Sequence, residues 1–321
     1  MKKDKKKRVF IVLLLLLLFI CIFVVAMLLD KKDEDNTYVL PDFVYEDIGY
    51  NKKDNIDLIF FAGLDTFDRY VKEPYRNEYA ADTIIVFVLD NKAKTITPIH
   101  INSEMMCEYD LLGVGGKIVD SAYGEAYLAH TYGNGEFDSL VNVKNTISDI
   151  LTGISFEYYF SSSMNAVPIV NDALNYIDVY VEEDFSDIDP SIKQNEVNTL
   201  KGEQSLAFIR SRIRSGDASN ISRMKRQEIY FNSLFKKAKI LSEKDDDIIA
   251  DTINSINKYL VLNVDIYTLV DLTNTFIEYD LKDSVLIKGD VQEKEDGTII
   301  YVPNEKDIVK ICIEYFYDEI K

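Results

Sequence analysis

The run "VFIVLLLLLLFICIFVVAMLL" (Val9–Leu29), 21 residues without a charge, constrains this chain more than any other feature. As a helix rising 1.5 Å per residue it is about 31 Å long, enough to cross a hydrocarbon core of ~30 Å. The basic "MKKDKKKR" precedes it and "DKKDED" follows, which predicts an N-terminus inside and the remainder outside. A cleaved signal peptide has a shorter apolar region, ~7–15 residues, and ends in a small-residue cleavage site that is absent here. The reading is an uncleaved signal-anchor: cytoplasmic tail 1–8, transmembrane helix 9–29, extracellular tether 30–55 and a single extracellular domain 56–321. The tether mixes charges with a Pro and has no sustained period.

Charge narrows the partners. The chain carries −19, and because the tail contributes +5, residues 30–321 carry −24. Such a domain repels polyanions, and nucleic-acid binding rests on phosphate contacts, so no nucleic-acid partner is expected. Yet five of the eight arginines fall in "AFIRSRIRSGDASNISRMKRQ": Arg210, Arg212, Arg214, Arg223 and Arg226. A cluster running against the field of its own domain is a site candidate. Cys21 lies in the apolar run, and Cys107 and Cys312 read as two buried free thiols rather than a disulfide scaffold. No CxxC occurs, and His100 and His130 stand thirty residues apart, so zinc is unsupported.

"IDLIFFAGLD" reads as a buried strand ending at Gly63 and Asp65, "DTIIVFVLD" and "TITPIHI" as the next two, and the short links predict an antiparallel meander. "EAYLAHTYG", "SLVNVKNTISDILTG" and "MNAVPIVNDALNYI" have helical spacing, and "DVYVEEDF" returns to strand. "GEQSLAFIRSR" starts as a helix, and "ISRMKRQEIYFNSLFKKAKIL" is a long amphipathic one. Helices at 247–260 and 265–279, strands at "SVLIKG" and "TIIYVP", and a helix in "NEKDIVKICIEYFY" complete the chain. The class is α/β, one domain with a mixed central sheet covered by helices.

Asp65 ends one strand and Asp82 starts the next, so a hairpin brings them to one end of the sheet. Two carboxylates in proximity repel unless a proton or cation separates them. Mg²⁺ suits such a pair when substrate phosphates complete its shell; ordinary strand-end loop chemistry is the alternative. Arg210, Arg212 and Arg214 have period two, so an extended segment projects all three on one face. Arg223, Arg226 and Gln227 fall at a helix start, where free N–H groups favour phosphate. Arginine binds phosphate bidentately, whereas salt bridges to surrounding acids are the competing use of each guanidinium. "GVGGKI" (113–118) lacks the spacing of a phosphate loop, and His130 reads as a helix-end residue rather than a base.

Together the anchor, "AGLD", "ADT" before a strand, "GEQSLAFIRSR" and "SRMKRQ" resemble the LytR–CpsA–Psr family of Gram-positive envelope proteins. The match covers roughly 55–321, and L-x-G-E-Q-x-L-A-F-x-R-S-R at Leu200–Arg212 is its most specific element. The resemblance implies a phosphotransferase outside the membrane. It would move a glycopolymer (teichoic acid, capsule or similar) from a polyprenyl-pyrophosphate carrier to peptidoglycan, releasing polyprenyl phosphate. By motif position, Asp65 and Asp82 would hold Mg²⁺ (or Mn²⁺), and one of them would take the proton from the attacking sugar hydroxyl. Arg210, Arg212, Arg223, Arg226 and Gln227 would hold the pyrophosphate, with Arg214 beside them, and Arg210 and Arg212 would join the two aspartates in catalysis. The lipid tail would occupy an apolar tunnel among the helices.

The sequence departs from the family at three places. Ser103 and Glu104, with Met105, stand where the family has R-D-T; Ala80 and Ala81 precede Asp82 where an Arg is common; and Asn220 takes the spacing of an expected Asp. Losing one charge-stabilising contact costs ~10²–10³ in rate. A non-catalytic polyprenyl-phosphate or wall-polymer binder acting in envelope regulation or assembly is therefore the second reading.

Overall fold

The computed structural model describes residues 40–67, 75–212, 220–293 and 299–320. The expected basic tail and membrane span lie outside these, as does Arg214; among the described residues no helix is long and apolar enough to cross a membrane.

The described chain opens with a hairpin, β1 (Phe43–Tyr45) and β2 (Ile48–Lys52), and continues into the meander β3 (Ile56–Leu64), β4 (Ala81–Asp90) and β5 (Thr95–Ile101). Hairpin β6 (Met106–Leu112) and β7 (Ile118–Glu125), a 3₁₀ segment (Ala126–Thr131), α1 (Phe137–Ile150), β8 (Tyr158–Ser163) and α2 (Ala166–Ala173) follow. Then come β9 (Ile177–Val181), β10 (Glu196–Leu200), α3 (Glu203–Arg210), α4 (Asn220–Ser242) and α5 (Ile248–Ile256). The chain closes with β11 (Leu260–Leu262), α6 (Ile266–Phe276), β12 (Asp280–Leu281), β13 (Val285–Leu286), β14 (Gly289–Glu293), β15 (Ile299–Pro303), α7 (Glu305–Phe316) and β16 (Tyr317–Glu319).

The central sheet runs β11-β8-β3-β4-β5-β12, with β13 also paired to β5. It is mixed: β3-β4-β5 is the antiparallel meander, while β8 lies parallel to β3, and β12 and β13 parallel to β5. Alternation assigns its two faces. Leu58, Phe60, Ala62, Ile84 and Val86 pack against the 3₁₀ segment, α1 and α7. Ile59, Leu89 and Ile96 face the other way, toward Phe235 of α4 and Phe276 of α6. Covering both faces is what lets strands this apolar exist in water.

Part of the stretch read as tether is folded. β1 and β2 form a three-stranded sheet with β16, so residues 43–52 are held against the strand at 317–319. "EAYLAHTYG" is not a regular helix: Glu125 closes β7, and residues 126–131 are 3₁₀. "GVGGKI" is the turn of hairpin β6–β7, where Gly115 and Gly116 take φ of 77° and 72°. Cys107 and Cys312 are free and buried, and burial pushes both thiols up to about 12.

Candidate active site

Asp65 and Asp82 meet at one end of β3 and β4, where the Asp65 N–H donates to Ala80 O at 2.9 Å. The pairing is irregular here: Gly63 opposes Thr83, but Leu64 opposes Ala81. Ala81 and Ile84, three residues apart, therefore both enter the same core cluster, which strict alternation forbids. Asp82 is the extra residue of this bulge, and its carboxylate lines a cavity on the α4 side of the sheet. Burial holds the Asp82 carboxyl above the usual range; Arg223 pulls it back down and the Asp65 charge pushes it up again. The two carboxylates thus sense each other, as the strand-end spacing predicts.

Each of the four described arginines of the cluster meets an acid: Arg210 Asp65, Arg212 Glu104, Arg223 Asp82 and Arg226 Glu183. They fall into two kinds. Arg210 and Arg212 keep about half their side-chain surface in water (49% and 51%), so each has donors free for another acceptor. Arg210 reaches Asp65 at 3.3 Å and lies 5.4 Å over the Phe67 ring. Arg223 is 6% exposed at its side chain and bridges Asp82 twice, Nη1 to Oδ2 and Nη2 to the backbone O, both at 3.1 Å.

Arg226 points elsewhere. Its guanidinium donates to Phe208 O, Ser211 O and Glu183, and Gln227 Nε2 reaches Ile209 O at 3.4 Å and Thr83 Oγ1 at 3.0 Å. These carbonyls are the ones the C-terminus of α3 leaves without intrahelical partners. The start of α4 caps the end of α3, and Arg226 belongs to that joint rather than to the open face of the site. The extended arm expected from Arg210 to Arg214 is also revised. Arg210 is the last residue of α3, and the backbone turns extended only at Ser211 (ψ 141°). Arg210 and Arg212 diverge to acids in different connections, Asp65 just after β3 and Glu104 between β5 and β6; Arg214 lies outside the described residues.

Two sequence departures turn out to be one. Asn220 Nδ2 donates to Asn102 Oδ1 at 2.5 Å and to Ser103 Oγ at 3.2 Å, and Arg223 Nε donates to Asn220 Oδ1 at 2.9 Å. All three small polar side chains are buried. A neutral Ser–Asn contact thus stands where the motif expects an Arg and an Asp, and it orients Arg223. Ala80 and Ala81 place no charge beside Asp82.

Below the charged rim the cavity turns apolar. It measures about 190 Å³ and is bordered by Asp82, Arg210 and Arg223 and by the apolar Ile85, Phe231 and Leu234. A second apolar space of about 200 Å³ shares Phe231 and Leu234 in its lining and is also bordered by Leu272 and Phe276. Residues such as Ile85 and Phe231 read from sequence only as core; nothing in their spacing marks a cavity.

No group of three or more acids, histidines or cysteines capable of holding a metal occurs among the described residues. The Asp65–Asp82 pair fits a cation of the kind that binds one or two carboxylates and completes its shell with phosphate oxygens and water.

The LytR_cpsA_psr family model matches residues 27–314. No curated protein matches the sequence. Among solved structures, TagT bound to LI-WTA is 19% identical, with TM-score 0.62 over 82% of this chain and 90% of that one. B. subtilis TagV is 20% identical, with TM-score 0.63 over 82% and 96%. The Streptococcus agalactiae protein gbs0355 is 18% identical, with TM-score 0.66 over 81% and 86%.

Proposed function

The chain belongs to the LytR_cpsA_psr family, and from that premise we propose that it is a membrane-anchored phosphotransferase. It moves a cell-wall glycopolymer from a polyprenyl-pyrophosphate carrier onto peptidoglycan. One observation carries the reading: two guanidiniums and the Asp82 carboxylate border an otherwise apolar cavity, and a second apolar cavity adjoins it at Phe231 and Leu234. That combination fits an amphiphile with a phosphate head and a long hydrocarbon tail, and neither a soluble nucleotide nor a simple lipid suits both halves. TagT bound to LI-WTA has the same fold and adds support. The N-terminal run Val9–Leu29 would hold the domain on the outer surface of the cell membrane, beside such a carrier.

The chemistry follows from the residues. Half-exposed Arg210 and Arg212 hold pyrophosphate oxygens, exchanging weak surface ion pairs for phosphate. Arg223, fixed by Asn220 and Asp82, supplies a charge that does not move. The acceptor hydroxyl oxygen forms a bond to the phosphorus that bears the polymer. The bond from that phosphorus to the bridging oxygen breaks, and the electron pair leaves on polyprenyl phosphate. The hydroxyl proton passes to the Asp82 carboxylate, whose raised affinity for a proton suits the task. Mg²⁺, or Mn²⁺, held by Asp65 and Asp82, would supply further neutralisation of phosphate charge when bound.

A second reading, a binder without turnover, is favoured by Glu104, which engages Arg212 from the segment where the motif expects Arg-Asp. Purified full-length protein supplied with lipid-linked polymer, peptidoglycan and Mg²⁺ separates the two. Because Ser103 touches Asn220, the comparison is the paired variant Ser103→Arg with Asn220→Asp rather than either change alone. Transfer by the native chain is the expected result. Transfer by the variant only would leave a binder, and no co-purified or added polyprenyl phosphate on either form would sink both readings.

A further inference from the structure

A second concavity, about 640 Å³, is lined by residues 76–80, which lead into β4 just before Asp82, and by Tyr127, Leu128 and Thr131. The apolar cavities lie under α4 on one face of the sheet. This cavity lies between the loop at 76–80 and the 3₁₀ segment that packs on the opposite face. Its walls are prebuilt. Asn77 donates from N to Thr131 O at 2.8 Å and from Nδ2 to His130 O at 3.0 Å, and His130 Nδ1 donates to Tyr79 O at 2.7 Å.

Both walls are tied to the reacting end of the site. Ala80 O accepts from Asp65 N, and Tyr127 N donates to Ser103 O at 2.9 Å. The Tyr127 ring is half-buried, and burial, followed by the charges of Glu125, Glu104 and Asp82, raises its phenol above the ordinary value. Arg76 and Glu78 stand exposed on the opposite wall.

The chemistry of this lining differs from that of the apolar cavities. It offers Tyr79 and Tyr127, one charge of each sign and a mixed polar and apolar wall, without a surplus of cations for a second phosphate. Flat aromatic surface with donors and acceptors beside it matches a neutral, hydroxyl-rich chain. Its size is that of a ligand site of ~300–1,000 Å³.

We propose that the cavity bordered by Arg76, Glu78, Tyr79 and Tyr127 is the subsite for the acceptor saccharide. This rests on the transfer reading above. The acceptor hydroxyl then approaches phosphorus from the Tyr127 side while the lipid phosphate departs toward the apolar cavities.

The test measures the two ligands separately on full-length protein in detergent. Chitotetraose is the saccharide probe, followed by saturation-transfer NMR, and geranylgeranyl pyrophosphate with Mg²⁺ is the lipid probe, followed by calorimetry. Arg76→Ala with Glu78→Ala, and separately Tyr127→Ala, should each weaken chitotetraose by about tenfold or more while lipid affinity stays within about twofold. Both sites of the first variant are exposed, so loss of fold does not confound it. Absence of chitotetraose binding by the native chain, or binding equal in all forms, overturns the subsite. Retained, variant-sensitive saccharide binding with no lipid binding supports the subsite and counts instead against the transfer reading.

Discussion

Arg210 and Arg226 lie sixteen residues apart in one basic segment, yet the fold gives them opposite uses. Arg210 is half-exposed and holds Asp65 across an open face. Arg226 is 5% exposed at its side chain, pairs with Glu183 and caps the carbonyls of Phe208 and Ser211. Exposed ion pairs contribute ~0–1 kcal/mol, whereas removing one partner of a buried pair costs ~3–5 kcal/mol because the other is left stranded. Arg226→Met is therefore expected to lower unfolding free energy by about 3–5 kcal/mol in urea titration. Arg210→Ala should change it by less than about 1 kcal/mol while losing lipid-pyrophosphate affinity. Equal stability losses in the two variants would refute the division. The motif R-x-x-R-Q announced a phosphate-binding helix start, but it has no way to announce that its second arginine turns back onto the preceding helix. That depends on where α3 stops.

Among the elements, the strands of the meander and the long helix were legible because each repeats its period over many residues. Others were not. The β1–β2 hairpin turns through Glu46 and Asp47 at φ 48° and 64°, the left-handed pair of a two-residue turn that Asn-Gly normally fills. With Glu-Asp there, no turn signal marks the hairpin, and the stretch reads as tether. Glu46→Asn with Asp47→Gly should raise stability by about 0.5–1 kcal/mol, seen as a higher urea midpoint with an unchanged slope. An unchanged midpoint would mean that the turn carries no strain. β8 was hidden for another reason. "YYFSSS" alternates poorly, and it becomes a strand because β3 and β11 flank it on both sides. The 3₁₀ segment reads as a helix in sequence because six residues do not separate a period of 3.0 from 3.6.

At the scale of the molecule, both histidines are buried, and burial lowers each to about 4 from an ordinary 6.5. In the fold they stay neutral, and because His130 donates through Nδ1 to Tyr79, its Nε2 is left a buried lone pair. The unfolded chain binds more protons between those values, so the stability is present above about pH 6.5 and is lost as pH falls toward 4. Asp82 acts in reverse, its raised carboxyl favouring the fold at low pH, and offsets part of the loss. Acidifying from pH 7 to 5 should cost roughly 3–4 kcal/mol for the pair of histidines, and His130→Gln should flatten the dependence. A urea midpoint independent of pH over that range would contradict it. By itself the sequence determined the α/β class, the meander that brings Asp65 to Asp82, and the basic segment that faces them. Those features follow from local periods and from a hairpin joining neighbours in the chain. Only the tertiary structure decided which arginines face outward, that Ser103 and Asn220 touch, and that an apolar cavity bordered by Asp82 lies under α4. Those outcomes rest on contacts such as Arg223 to Asp82, 141 residues apart, and no local period encodes the partner of a side chain that distant.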